Sequence, residues 1–347
     1  MTTIYPNTNT GTVVTPIKHL TVSVTVPLLT LILAACGDSD IPALQRDAII
    51  EAQERITANQ ELQIDEAAAA LADRPETTEQ EADNSSSEIS DSEPAEPPAT
   101  IDLTGYELVL NETFSGESLN AELWTTAFRW GPDLVVNDEE QYYVDTLNNP
   151  DFGFNPFVMD GNTLSISADN TPVNLLDAAN QQPYLSGVLT TADRFAFTHG
   201  IAEIRARIPA GTGLWPQFWM LPDVFEGLRP QVFIMEARGD RTDTVFHSYK
   251  YQDSNDDLQT TGVLESTGTD FSADFHTYAV EWNPGELIFY IDGVEFQRVE
   301  SENVASQDMY MIVNLAVGGF FAGSPDESTP FPAQLVIDHI RVFQLSE

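Results

Sequence analysis

The chain has 347 residues, 42% of them hydrophobic, with 14 Lys and Arg against 55 Asp and Glu and a formal net charge of -41. That balance excludes an electrostatic footprint for nucleic acid and fits a protein that stays soluble and monomeric. One cysteine excludes an internal disulfide, and the length suits one large all-β domain of about 200–250 residues with extra segments.

Taken in order, the chain opens with an apolar run at 20–35, LTVSVTVPLLTLILAA, preceded by Lys18. It is too short for a membrane span and is interrupted at Pro27. The run closes on Leu33-Ala34-Ala35-Cys36, followed by Gly37, and this resembles the lipobox of bacterial lipoproteins. The resemblance implies that residues 1–36 are a signal peptide and that Cys36 is lipidated as the mature N-terminus, which anchors the protein in the cell envelope. Gly37 in place of Asp implies the outer membrane or cell surface. The alternative is an ordinary leader with a chance cysteine.

Residues 37–100 are acidic and poor in aromatics. Pro42 to Ala72 carries helix formers with an irregular apolar period and Pro75 as a stop, which predicts a marginal helix or stalk. Residues 76–99, ETTEQEADNSSSEISDSEPAEPPA, cannot bury a core and predict an extended, self-repelling linker.

From Ile101 to the end, short β-branched and aromatic runs alternate with Gly, Asn, Asp and Pro: YELVLNETF, NTLSISAD, GIAEIRARIP, QVFIME, TVFHSYKYQ, HTYAVEWN, LIFYIDGVEF, YMIVNLAVG and QLVIDHIRVFQ. Asp292-Gly293 supplies a hairpin turn between alternating flanks. No long period of 3.6 and no βαβ spacing appears. Residues 101–347 therefore predict an all-β antiparallel sandwich or jelly roll.

Several of these runs carry a more specific signal. YELVLNETFSG, EEQYYVD, FTHGIAEIRARIPAGTGLWPQFWMLP, HTYAVEWNPGELIFYIDG and NLAVGGFFAGSPDESTPFPAQLVIDHIRVFQ together resemble glycoside hydrolase family 16, in its laminarinase-like endo-β-1,3-glucanase branch. The resemblance covers about residues 104–345. It implies a concanavalin A-like β-jelly roll with a glycan cleft on the concave face, and retaining hydrolysis of β-linked glucans.

Retaining hydrolysis needs two carboxyl groups about 5–5.5 Å apart, one nucleophile and one acid/base. The family places them on one strand as Glu-x-Asp-x-x-Glu, where the middle Asp orients the pair. Five steps along a regular strand would send the outer two to opposite faces, so a one-residue bulge is expected. Here the pattern reads Gln231-Val232-Phe233-Ile234-Met235-Glu236. By resemblance Glu236 keeps the acid/base position, while the nucleophile has become Gln231 and the tuning Asp has become Phe233. An amide carries no charge to stabilise an oxocarbenium-like transition state, and loss of a nucleophile commonly costs several powers of ten in rate. Phe233 also leaves Glu236 without the Asp that would orient it. A water-mediated inverting route would need a second acid about 6.5–9.5 Å away; Asp240, Glu139 and Glu140 are the carboxylates to consider, and none has a spacing that argues for attack.

The binding apparatus is better kept than the chemistry. The resemblance implies that Trp215, Trp219 and Trp130 stack on sugar rings, that Asn137 and Glu139 bond sugar hydroxyls, and that His247 lines the cleft. Core positions for these tryptophans, a turn role for Asn137 and a satisfied core role for His247 remain alternatives, and Trp124 and Trp282 read as core. Lys250 stands where the family has a second histidine and places a cation near Glu236. No cofactor is required, but Glu112, Gly161 and Asp338 fall in segments that hold a structural Ca²⁺ in the family. The expected function is β-glucan recognition at the cell surface with hydrolysis lost or weak. The alternative is an active endo-β-1,3-glucanase.

Overall fold

The computed structural model describes residues 101–132, 135–224, 229–255, 257–267 and 270–346. The predicted leader, Cys36 and the acidic linker lie outside them.

The strands are β1 (Tyr106–Glu112), β2 (Gln141–Tyr143), β3 (Phe157–Met159), β4 (Leu164–Asn170), β5 (Tyr184–Ser186), β6 (Val188–Thr190), β7 (Gly200–Arg207), β8 (Leu214–Pro222) and β9 (Gln231–Ala237). They continue as β10 (Thr244–Gln252), β11 (Leu258–Thr267), β12 (His276–Asn283), β13 (Glu286–Ile291), β14 (Val294–Glu300), β15 (Met309–Val317) and β16 (Ala333–Leu345). One six-stranded sheet runs β11-β10-β9-β8-β15-β6. The ten-stranded sheet runs β14-β13-β12-β7-β16-β4-β5-β2, with β1 on β16 and β3 on β4. The all-β sandwich expected from the alternating runs is therefore what the chain forms.

Local chemistry sets the connections. Asp292 and Gly293 both take positive φ, 51° and 76°, the conformation of a two-residue hairpin loop whose twist matches its strands. Strand β8 is buried along its length although it contains Pro216. Pairing of β8 with β9 begins only at Gln217↔Glu236, so the missing Pro216 amide costs no bond to β9.

Alternation divides each central strand between two environments. Phe218, Met220, Val232, Ile234, Met235, Val245, Tyr249, Met311 and Val313 join Trp124, Tyr278, Trp282 and Phe289 in the core between the sheets. Trp219, Leu221, Phe233, Tyr310 and Ile312 point the other way, into a second cluster with Phe128, Tyr143 and Val188. This outer face of the six-stranded sheet carries the candidate site.

Candidate functional site

Strand β9 has the expected bulge. Against β8, Phe218 faces Met235 and the next residue, Trp219, faces Phe233, so Ile234 is the extra residue. Against β10, Phe246 faces Glu236 and Ser248 faces Phe233. Ile234 and Met235 both turn into the core, and the step brings Glu236 back to the face that carries Gln231 and Phe233. A straight strand would have buried the Glu236 carboxylate among apolar side chains.

Glu236 is 6% exposed and is held by two donors. Trp215 Nε1 lies 3.1 Å and Gln217 Nε2 3.3 Å from its Oε1. This corrects the expectation that replacing the tuning Asp leaves the carboxylate unoriented: β8 supplies the orientation from its own outward residues. Trp215 is only 2% exposed and packs on Phe320 and Phe321, so the indole serves here as a donor to Glu236.

The hydrogen bonding continues away from Glu236. Asn314 Nδ2 donates to Gln217 Oε1 at 2.8 Å and sits 2.9 Å from Tyr143 Oη, and Asn314 Oδ1 accepts from Trp219 Nε1 at 2.9 Å. Tyr143 Oη reaches Glu139 Oε2 at 3.4 Å, Gln141 Nε2 reaches the same oxygen at 2.6 Å, and Asn137 Nδ2 donates to Glu139 Oε1 at 3.0 Å. Burial pushes the Glu139 carboxyl up to about 7, and these three donors offset it only in part. Two buried carboxylates, Glu139 and Glu236, are thus linked through Tyr143, Asn314 and Gln217. Positive φ at Asn137 and Asp138, 58° and 55°, forms the turn that presents Glu139, and Asn and Asp tolerate that conformation better than other side chains. Gly319 closes the arrangement: a Cβ there would lie 2.8 Å from the Asn137 carbonyl and 3.2 Å from the Trp215 ring.

At the other end of β9 the floor is aromatic. Phe233 stacks on Trp219 with centroids 5.4 Å apart and planes 6° apart, and Phe128 bridges Trp219 and Trp130. Lys250, paired in register with Gln231, holds Nζ 4.5 Å from the Phe233 centroid. Burial pushes the Lys250 ammonium below its usual value, Glu236 opposes this, and Arg229 adds to it.

His247 is not on this face. It is fully buried against Phe289 and Phe296, and Nδ1 lies 2.7 Å from the Ile234 carbonyl of the bulge. Burial pushes it down to about 4. It is therefore a neutral core group that supports the bulge, which corrects the reading of it as a sugar ligand; adjacent strand residues face opposite ways, and Phe246 and Ser248 hold the outer positions.

Asp240 forms a two-point ion pair with Arg238, and Glu140 accepts from Ser324. The Glu112 carboxylate accepts from the Phe114 amide and the Trp124 indole, and Asp338 pairs with Arg205 and His339. Among the described residues no three His, Cys, Asp or Glu side chains gather as a metal site; at the segments expected to hold Ca²⁺, Gly161 could offer only its carbonyl, and the side chains of Glu112 and Asp338 are engaged by the protein partners just named. Sequence reasoning missed Gln217, Asn314, Tyr143 and Gln141. The available signals were Gln217 midway between two outward tryptophans and a lone Asn in the apolar run MYMIVNLAV.

Comparison with known proteins decides the family. The model of glycosyl hydrolases family 16 matches residues 148–340, and a β-glucanase of Rhodothermus marinus is 31% identical over 70% of this chain and 86% of its own length. The chain belongs to glycosyl hydrolases family 16. An endo-1,3-1,4-β-glycanase of Rhizobium meliloti, ExsH, is 33% identical over 68% of this chain, which spans only 52% of that relative. The laminarinase structure from Rhodothermus marinus superposes with a TM-score of 0.59 at 28% identity, covering 70% of this chain and 98% of that one. Its β-sandwich agrees with the two sheets described above.

Proposed function

We propose that this family 16 chain recognises β-linked, laminarin-type glucan at the bacterial cell envelope, held there by a lipid on Cys36, with hydrolysis lost or slight. The observation that supports it most is the β9 motif: the bulge brings Gln231, Phe233 and Glu236 to one face, and only Glu236 is a carboxylate. Retaining cleavage needs two. In the aromatic row Trp130, Phe128, Trp219 and Phe233 the last three are only 6–7% exposed, and Trp130, the partly exposed member, offers apolar surface of the kind that sugar rings cover.

A second reading, a working endo-β-1,3-glucanase, draws support from Glu139. Its carboxyl is pushed up to about 7, within the range useful for proton transfer, and it is linked to Glu236 by hydrogen bonds. Affinity electrophoresis of the full-length protein on laminarin, with reducing-end release assayed in parallel, separates the two. Retardation without sugar release supports recognition alone. Release that disappears in both Glu236→Gln and Glu139→Gln supports the enzyme, and no retardation together with no release removes both.

A further inference from the structure

The Gln231 end of the outer face holds a cation where acid-base cleavage would want a carboxylate. Lys250 Nζ lies 4.5 Å from the Phe233 centroid, and its register partner is the uncharged Gln231. Among the described residues Lys250 forms no ion pair within 4 Å; the Glu236 carboxylate, whose side-chain donors Trp215 and Gln217 both sit on Oε1, attracts it from farther off, and Arg229 is a second cation beside it. One residue back on the same face, Ser248 is 2% exposed, and its Oγ has no hydrogen-bond partner. Two hydrogen-bonding groups of β10 therefore meet at Gln231 and Phe233 without a protein acceptor. An ammonium that no protein oxygen holds is open to a ligand oxygen, and one bearing negative charge binds it most strongly.

We propose that the subsite over Gln231, Phe233 and Lys250 takes an anionic substituent, a carboxylate or a sulfate ester, carried on the β-glycan chain. The inference rests on the glycan-recognition reading above and specifies its ligand. Phe233, stacked on Trp219 and 6% exposed, is the apolar base beneath the ammonium, and Lys250 meets the charged group from above it. The charge of the whole chain, -41, works against binding polyanions in general. A preference for an anionic glycan would have to come from a local cation.

The test is isothermal titration of the full-length protein with three ligands: neutral laminarin, C6-oxidised laminarin bearing carboxylates, and sulfated laminarin. At low salt one or both anionic forms bind at least about tenfold more tightly than the neutral one, as a charge-assisted hydrogen bond predicts. The two modified ligands tell which group the subsite takes. Lys250→Met abolishes that excess and leaves neutral laminarin binding in place, and Lys250→Arg restores it. Should Lys250→Met not fold, the wild-type preference must still shrink as salt is raised from 50 to 500 mM, because a partly exposed charge contact is screened. Equal binding of all three glycans, or an excess that survives Lys250→Met or high salt, overturns the inference and leaves glycan recognition standing. No binding to any of the three removes the recognition reading itself.

Discussion

The two ends of β9 have been built to different standards of polarity. At the Glu236 end a chain of hydrogen bonds links the polar outward side chains, from Trp215 and Gln217 on Glu236 through Asn314 and Tyr143 to Glu139. At the Gln231 end, four residues share the face with few such bonds: an amide, an aromatic ring stacked on Trp219, an ammonium above it and an unpartnered hydroxyl. The carboxylate's side-chain support comes from β8 and not from its own strand. Glu236 is held from β8, so the identity of the residues at 231 and 233 does not decide where its carboxylate lies.

The largest effect is expected from placing carboxylates at the Gln231 end. Gln231→Glu combined with Phe233→Asp is expected to raise reducing-end release from laminarin by several powers of ten if Glu236 is already placed for proton transfer. An unchanged rate would show that the Glu236 end is not poised for catalysis. Trp219→Ala removes the ring on which Phe233 stacks and orphans the Asn314 oxygen. Unfolding in urea should report a loss of about 3–5 kcal/mol, and a loss near zero would mean that the aromatic end carries no structural weight.

At the Glu236 end the effect of pH runs through Glu139. Its carboxyl rises from an ordinary 4.5 to about 7 on folding because it is buried, so the native state holds the proton more tightly than the unfolded chain does. Its contribution is present in full below pH 4.5, declines as pH rises to about 7 and is flat above that. The decline amounts to about 3 kcal/mol, and Glu139→Gln should remove it from the pH profile of thermal unfolding. The smallest effect belongs to Asp240, whose ion pair with Arg238 is partly exposed. Asp240→Asn should change stability by less than about 1 kcal/mol, and a larger loss would give that turn a part in the site.

Much of the framework was legible in the residues. The runs YELVLNETF, GIAEIRARIP and LIFYIDGVEF became β1, β7 and the β13–β14 hairpin, because strand alternation and turn residues are local signals. The short strands β2, β3, β5 and β6 have three residues each and were not anticipated; so few positions establish no period. The bulge followed from counting faces along one strand. His247 was misplaced because the family segment locates the strand but does not show which side of it each residue takes.

The residues alone fixed the all-β class, the family resemblance and the strand motif with Gln231, Phe233 and Glu236, since each is written within a few consecutive residues. Only the tertiary structure decided what holds Glu236 and what surrounds Lys250. Asn314 and Tyr143 are 171 residues apart in the chain, and they meet because β15 lies beside β8 in the sheet while the β2 segment folds over its outer face. The register that brings Lys250 beside Gln231 is likewise set by pairing between strands and by the extra residue at Ile234, and neither can be read from either strand alone.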